Sequence, residues 1–296
     1  MRRGIVLGAL LIVGMLPLAA AGLLQQQQGP KVVEVEKLKD NLFMLKGGGG
    51  NTAVFVTTDG IIVVDTKNPG WGQPILDKIR ELSNKPVKML INTHTHGDHT
   101  SGNVEFPASV EVVTQENTKI NMEKMDIFKT SNGKGMAKRT FKDKMTIGSG
   151  KDRVDLYYFG RGHTNGDAFV AFPELRVVHA GDIFSGKNLP LIDTNNGGSG
   201  VDIGGSLQKA HDGIKNANSV ITGHSTVMTW SDLGEYAQFN KDFAAWVAAE
   251  KKAGKTPEQA AAEYKVPEKY KGYSANLPPF FGGLKGMIEG MYREMK

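Results

Sequence analysis

Four side chains able to bind a metal ion fall within one short run of the chain: His94, His96, Asp98 and His99. The whole sequence holds only seven histidines, so this density is unusual. Imidazole and carboxylate groups bind borderline and hard divalent cations. The run follows the apolar stretch Val87–Asn92, which predicts a buried strand. Loops after the carboxyl ends of strands are where open α/β sheets bind ligands, so the pattern indicates a metal site.

The spacing within the run allows two metal ions, because the two pairs of side chains need not share one. His94 and His96 alternate across one residue, so in an extended segment their side chains point the same way. Asp98 and His99 come where a turn is expected, and their side chains can diverge toward a second ion. In two-metal sites the ions lie about 3.5–4 Å apart. Each ion would still need ligands from elsewhere in the chain.

Three later segments repeat one arrangement, in which a predicted strand is followed by a glycine and then a metal-binding side chain. They are Gly162-His163, Gly181-Asp182 and Gly223-His224. Glycine allows a sharp turn and a close backbone approach to a buried ion. The chain contains no cysteine, so thiolate ligands are excluded.

The predicted elements place these segments in a fold with two sheets. Both halves of the sequence show short strands followed by helices, which predicts an α/β (α+β) fold, a four-layer αββα sandwich. The predicted strands are Val32–Leu38, Leu42–Lys46, Thr52–Thr58, Ile61–Asp65, Val87–Asn92, Val110–Thr114, Val154–Phe159, Ala168–Phe172, Arg176–Ala180 and Ser219–Thr222. The predicted helices are Gln73–Leu82, Gln115–Phe128, Val201–Asn216, Ser231–Ala253 and Met287–Met295.

The set His94-x-His96-x-Asp98-His99, Gly162-His163, Gly181-Asp182 and Gly223-His224 resembles the metallo-β-lactamase superfamily over roughly Val32 to Ala253. This resemblance implies the αββα fold and a metal cleft at one sheet edge. It implies that the first metal is bound by His94, His96 and His163, and the second by Asp98, His99 and His224. Asp182 would bridge the two ions, and Asp65 would support the ligand loops.

The resemblance implies a hydrolase that uses two divalent ions, of zinc type, with iron or manganese as alternatives. Two such ions lower the pKa of a shared water from about 15.7 toward roughly 7, which supplies a bridging hydroxide. Asp98 is the expected catalytic residue, because it can orient that nucleophile or take its proton. The expected substrates are small molecules with an ester, thioester, lactone or lactam bond.

Three functions remain open from the sequence. Asp182 fills a position where the lactamase subclass with an Asp-His pair lacks a ligand, so the set is more like that of glyoxalase II-type thioesterases. A class B β-lactamase is the second hypothesis. A non-catalytic periplasmic metal-binding protein is the third. The net charge of +5 is mild and includes no basic tract, which disfavours a nucleic-acid partner.

The chain is predicted to have four parts: a signal peptide over 1–21, a linker over 22–30, the metallo-β-lactamase-like domain over 31–254 and a helical extension over 255–296. The first segment has a basic start, an apolar stretch and a small-residue cleavage site at Ala19-Ala20-Ala21. This predicts a periplasmic or secreted protein without stable membrane association after cleavage. An uncleaved membrane anchor is the alternative.

Several other residues carry weaker expectations. His179 is expected in the core, His211 on the surface, and Asp167 as a carboxylate that fixes the ligand loops. Lys187 is a candidate to bind an anionic part of the substrate. Gly47–Gly50 is either a flap over the site or an ordinary loop.

Overall fold

The computed structural model of the chain describes residues 31–279 and 282–295. The predicted signal peptide and linker lie outside these residues. No helix within the described ranges is long and apolar enough to cross a membrane.

Thirteen strands within these ranges form two sheets. The first sheet has seven strands in sequence order: β1 Glu34–Lys39, β2 Leu42–Lys46, β3 Thr52–Val56, β4 Ile61–Val64, β5 Val87–Ile91, β6 Glu111–Gln115 and β7 Arg139–Phe141. The second sheet has six strands: β8 Lys144–Ile147, β9 Val154–Tyr157, β10 Phe169–Phe172, β11 Val177–Gly181, β12 Ser219–Thr222 and β13 Met228–Thr229.

Strand direction brings the predicted ligand loops to one edge of each sheet. In the first sheet β4, β5 and β6 run parallel, so their carboxyl ends lie at the same edge. In the second sheet β11 and β12 are parallel neighbours. The His94–His99 run follows β5, Asp182 follows β11, and His224 comes two residues after β12. The sheet topology therefore explains why residues distant in sequence can form one site.

Side chains alternate along the strands and build three apolar layers. In β3, Ala53 and Phe55 face the second sheet, and Val54 faces the opposite side. Between the sheets, Phe55 meets Phe172 edge to face, with ring centroids 5.1 Å apart. On the outer face of the first sheet, Val54 packs in the same cluster as Ile75 and Ile79 of a covering helix. These layers confirm the αββα prediction.

The helices cover the outer faces and connect the strands. They are α1 Gly72–Leu82, α2 Gly97–Thr100, α3 Glu116–Met122, α4 Asp126–Thr130, α5 Ile203–Gly213, α6 Trp230–Lys252, α7 Pro257–Glu263 and α8 Gly283–Glu294. Helix α1 covers the first sheet, whereas α5 and α6 cover the second. Helix α6 begins with a capping box between Thr229 and Asp232, which satisfies backbone donors at its first turn.

The structure corrects several predicted elements. The single helix predicted over Gln115–Phe128 is two helices, because the chain is extended at Met125, where α4 is capped. Strands β7, β8 and β13 were not predicted; they are two to four residues long, too short for a clear alternating pattern. The tail helix α8 starts at Gly283, four residues before the predicted start.

The C-terminal residues pack against the same apolar layer as α5 and α6. Ala260, Met287, Ile288 and Met291 belong to the cluster that covers the second sheet. A capping box formed by Thr256 and Gln259 starts α7. The boundary predicted at residue 254 stays a prediction.

Replacing Phe55 by alanine tests the packing between the sheets. Phe55 is fully buried, so Phe55→Ala is expected to lower the free energy of unfolding by about 3–5 kcal/mol. Urea unfolding of the metal-free protein measures this. The control Val35→Ala, at a partly exposed position of β1, should change it by less than about 0.5 kcal/mol. Equal effects of the two variants would contradict the assigned core.

Candidate metal centre

All seven sequence-predicted residues lie together in two groups. In each group the candidate ligand atoms lie within 4.8 Å of one another. The first group is His94, His96, His163 and Asp182, and the second is Asp98, His99 and His224. Helix α2 contributes the adjacent pair Asp98 and His99, because it begins immediately after His96.

Hydrogen bonds orient the histidines of the first group. His163 donates from Nδ1 to the Leu191 carbonyl oxygen at 2.6 Å, since a carbonyl can only accept. His96 Nε2 lies 2.8 Å from Asp193 Oδ2 and donates to it. These bonds leave His163 Nε2 and His96 Nδ1 as acceptors, and the two atoms lie only 2.9 Å apart. Two facing lone pairs at this distance repel unless a cation or proton lies between them.

Asp65 orients ligands of both groups. Its carboxylate accepts from the Thr93 backbone N–H at 2.8 Å and from the Thr93 hydroxyl at 2.7 Å. The Thr93 oxygen in turn lies 3.0 Å from His94 Nδ1. His99 Nδ1 lies 2.7 Å from the same carboxylate, so His99 Nε2 points into the site. The structure thus confirms that Asp65 supports the ligand loops.

Asp182 belongs to the first group and also lies close to the second. One of its oxygens is 3.9 Å from His94 Nε2 and 3.2 Å from His224 Nε2, and the other is 3.2 Å from His99 Nε2. Asp182 follows Gly181, which has a φ of +58°. A Cβ at Gly181 would come within 2.5 Å of the Thr93 hydroxyl oxygen. Glycine therefore permits both the backbone conformation and the close approach of β11 to the His94 segment.

Unsatisfied buried atoms support a metal at this place. His94 Nε2 and Asp182 Oδ1 are buried, and neither has a hydrogen-bond partner among the described residues. Buried polar atoms are rarely left without a partner. The donors are imidazole nitrogens and carboxylate oxygens, which suit zinc, iron or manganese. The residues therefore fit two divalent ions.

Burial and neighbouring charges set the ionisation of these groups. Burial holds the pKa of His94 well below its usual value and lowers the pKa of His163 to about 4, so both are neutral near pH 7. Burial opposes ionisation of Asp182, but His99 and His224 outweigh it and hold the pKa of Asp182 well below its ordinary value. His94, His163 and Asp182 are therefore already in the forms that bind metals. At His99 and His224, neighbouring carboxylates outweigh burial and raise the pKa, so metal binding there would release protons.

The candidate centre opens into a cleft of about 620 Å³. Its walls include Asn68, Gly97 and Leu191 beside the predicted ligands. An adjoining arm is lined by Lys187, Asn188, Ser225 and two residues of the C-terminal tail, Asn276 and Pro278. The cleft therefore combines both halves of the sandwich with the tail.

Lys187 lines this arm, but its charge is already compensated. Its ammonium group lies 2.8 Å from Asp232 and 3.6 Å from Glu235. These ion pairs disfavour the predicted role in binding an anionic substrate group. His179 is a buried core residue, as predicted. His211 lies at the surface, as expected: its side chain is about one-third exposed, and its ring stacks on Trp230.

Sequence reasoning missed three buried residues near the centre: Asn51, Lys67 and Asp193. Asp193 starts a polar turn, in which its side chain accepts from the backbone N–H groups of Asn195 and Asn196. This turn-forming sequence is the signal by which Asp193 could have been found. Asp167, by contrast, fixes its loop as expected, because it accepts from the Thr164 backbone and hydroxyl.

The sequence profile described as Metallo-beta-lactamase superfamily matches residues 45–224, which include every residue of the two groups. The chain belongs to the metallo-beta-lactamase superfamily. It is 32% identical over 180 residues to the metallo-beta-lactamase type 2 of Elizabethkingia meningoseptica, covering 57% of this chain and 69% of that protein. It is also 27% identical over 164 residues to the hydroxyacylglutathione hydrolase of Nostoc punctiforme, covering 54% of each.

Two solved structures share the fold. A metallo-beta-lactamase from Pontibacter korlensis aligns with a TM-score of 0.60 at 22% identity, covering 71% of this chain and 99% of that one. The sec-alkylsulfatase Pisa1 from Pseudomonas sp. aligns with a TM-score of 0.72 at 14% identity, covering 89% of this chain and 50% of that one. At these identities the likeness concerns the fold alone.

Removing the Asp193 carboxylate tests its orientation of His96. Asp193→Ala is expected to weaken metal binding about 10- to 100-fold, because the imidazole loses the partner that fixes its ring. Equilibrium titration with Zn²⁺ in competition with a chromophoric chelator measures this. Asp202→Ala is the matched control, since that carboxylate pairs with Arg161 on the surface. Unchanged affinity in Asp193→Ala would show that His96 needs no such partner.

Proposed function

We propose that this protein is a metal-dependent hydrolase that binds two divalent cations, most simply Zn²⁺, and cleaves an ester, thioester, lactone or lactam bond in a small molecule. One observation carries this proposal. Two groups of imidazole and carboxylate ligands converge at one cleft, with a buried carboxylate, Asp182, between them.

When bound, the cations supply Lewis acidity and a water of lowered pKa. His94, His96 and His163 would hold one cation, and Asp98, His99 and His224 would hold the other, with the Asp182 carboxylate available to either. The protein's contribution is to fix these side chains in the correct tautomers before a substrate arrives.

Asp98 is the proposed catalytic residue. Its side chain is partly exposed and lines the cleft, and one of its oxygens lies 3.2 Å from His224 Nε2. Burial alone would raise its pKa, but the hydrogen bond from His224 and the charge of His99 outweigh burial and lower it. Asp98 is thus an anion at neutral pH, able to accept a proton from water in the cleft or to orient it.

Two comparisons bear on the bond that is cleaved. The 32%-identical relative named metallo-beta-lactamase type 2 keeps a class B β-lactamase as the second candidate function. The ligand set with Asp182, together with the relative named hydroxyacylglutathione hydrolase, favours the broader group of ester and thioester hydrolases. A metal-binding protein without activity is the non-enzymatic alternative.

We also propose that the protein is exported and acts in the periplasm or outside the cell. The basic, apolar and small-residue pattern of the first 21 residues supports export. The mild charge of the chain favours small-molecule substrates over nucleic acids.

Metal analysis with a hydrolysis panel tests the proposal. The purified protein is expected to contain about two divalent ions per chain, and chelation should abolish hydrolysis until metal is restored. His96→Ala should lower turnover at least about 1,000-fold, because one ligand of the metal that activates water is lost. His211→Ala, remote from the cleft, is the control. Less than about one metal per chain, or full activity after chelation, would refute the proposal.

A chromogenic cephalosporin separates the two enzymatic candidates. Hydrolysis at an ordinary enzymatic turnover, on the order of 1–1,000 per second, would establish a β-lactamase. We expect a rate near background, with faster cleavage of a simple aryl ester or thioester. Tight metal retention with no turnover across the panel would favour the non-enzymatic alternative.

A further inference from the structure

The loop between β2 and β3 touches the second group of candidate ligands at Asp98 and His99. The Gly50 backbone N–H donates to the Asp98 carbonyl oxygen at 3.0 Å. A Cβ at Gly50 would lie 2.1 Å from Cε1 of His99, so the backbone packs directly against that imidazole. The same loop therefore sets the position of the Asp98-His99 pair.

The next residue, Asn51, reaches the segment that carries the third member of the group, His224. Its backbone N–H donates to the Gly223 carbonyl oxygen at 2.7 Å. Its side-chain amide donates to Thr222 at 2.9 Å and to Ser225 at 2.7 Å. These three carbonyls flank His224 on both sides. Asn51 is only 5% exposed, so its bonds are shielded from water.

A buried lysine, Lys67, holds this loop in place from the interior of the protein. Its side chain is fully buried, and its ammonium group donates to the Leu45 and Gly50 carbonyl oxygens at 2.9 and 2.8 Å. Leu45 precedes the loop and Gly50 ends it, so one ammonium group holds both ends. Lys67 has a φ of +68°, a conformation that non-glycine residues rarely adopt. Such strain at a site is typically maintained by a functional constraint.

We infer that Asn51 and Lys67 are positioning residues for the second metal ion: together they hold His224, from the second sheet, against Asp98 and His99, from the first. This inference rests on the two-metal function proposed above. It assigns a role to two buried polar residues that belong to neither group of candidate ligands.

The role of Asn51 and Lys67 is specific to the second group, because the histidines of the first group are oriented by other partners. His96 is oriented by Asp193, His163 by the Leu191 carbonyl and His94 through Thr93. The side chain of His224 is 40% exposed and comes from a loop beyond β12. Losing the hydrogen bonds of Asn51 or Lys67 should therefore lower the affinity for the second ion and leave the affinity for the first unchanged.

Stepwise Zn²⁺ binding to the metal-free full chain tests this, followed by native mass spectrometry and calorimetric titration. The wild type should bind two ions. The affinity for the second ion should fall about 10- to 100-fold in each of three variants, Asn51→Ala, Asn51→Asp and Lys67→Met, as loss of hydrogen-bond partners around a metal site typically causes. The first ion should bind within about 3-fold of its wild-type affinity. Asn51→Asp keeps the size of the side chain but replaces its amide donors with an ionisable carboxylate, and Asn51→Ala removes the donors without adding a charge.

Asn41→Ala is the matched control, because Asn41 also donates its amide to a backbone carbonyl of β3, that of Val56, but lies at the far end of the strand. It should bind both ions like the wild type. Variants that bind both ions normally, or lose both together through general destabilisation, would overturn the inference. A wild type that binds fewer than two ions would instead refute the two-metal function, and the two failures are therefore distinguishable.

Discussion

The buried carboxylate of Asp65 is the interaction on which the site depends most. It accepts from the Thr93 backbone and hydroxyl and from His99, and through Thr93 it also reaches His94. Asp65 follows β4 and Thr93 follows β5, so the same bonds join two parallel strands at their carboxyl ends. A buried carboxylate is stable only when its hydrogen bonds are complete. The orientation of both ligand groups is therefore tied to the register of the first sheet.

Much of the site could be predicted because its ligands share a local pattern. Each follows a strand, and glycine precedes the three distant ones, so sequence alone was enough to bring them together. Asn51, Lys67 and Asp193 escaped prediction for a physical reason. Their partners lie far away in sequence, as with Asn51 and Ser225, which are 174 residues apart. Helix α4, which begins after the break at Met125, has five residues and strand β13 has two. Both are too short for a periodic pattern to be detected in the sequence.

The C-terminal tail forms part of the cleft. In this chain the tail is anchored to the cleft by backbone bonds between Ser274 and the segment Lys187–Leu189. Asn276 and Pro278 then form part of the wall. This wall comes from outside the matched region 45–224, so it is a feature of the chain beyond the part that assigns the superfamily.

The position of Asp182 between the sheets has a consequence for the lifetime of the protein. A cation bound by ligands from both sheets is bound by the folded chain and hardly at all by the unfolded one, so it adds to stability in proportion to the logarithm of its free concentration. This chain has no disulfide to serve the same purpose. Under the proposed two-metal function, the supply of metal in its surroundings would govern how long each molecule resists unfolding and proteolysis, as well as how fast it turns over.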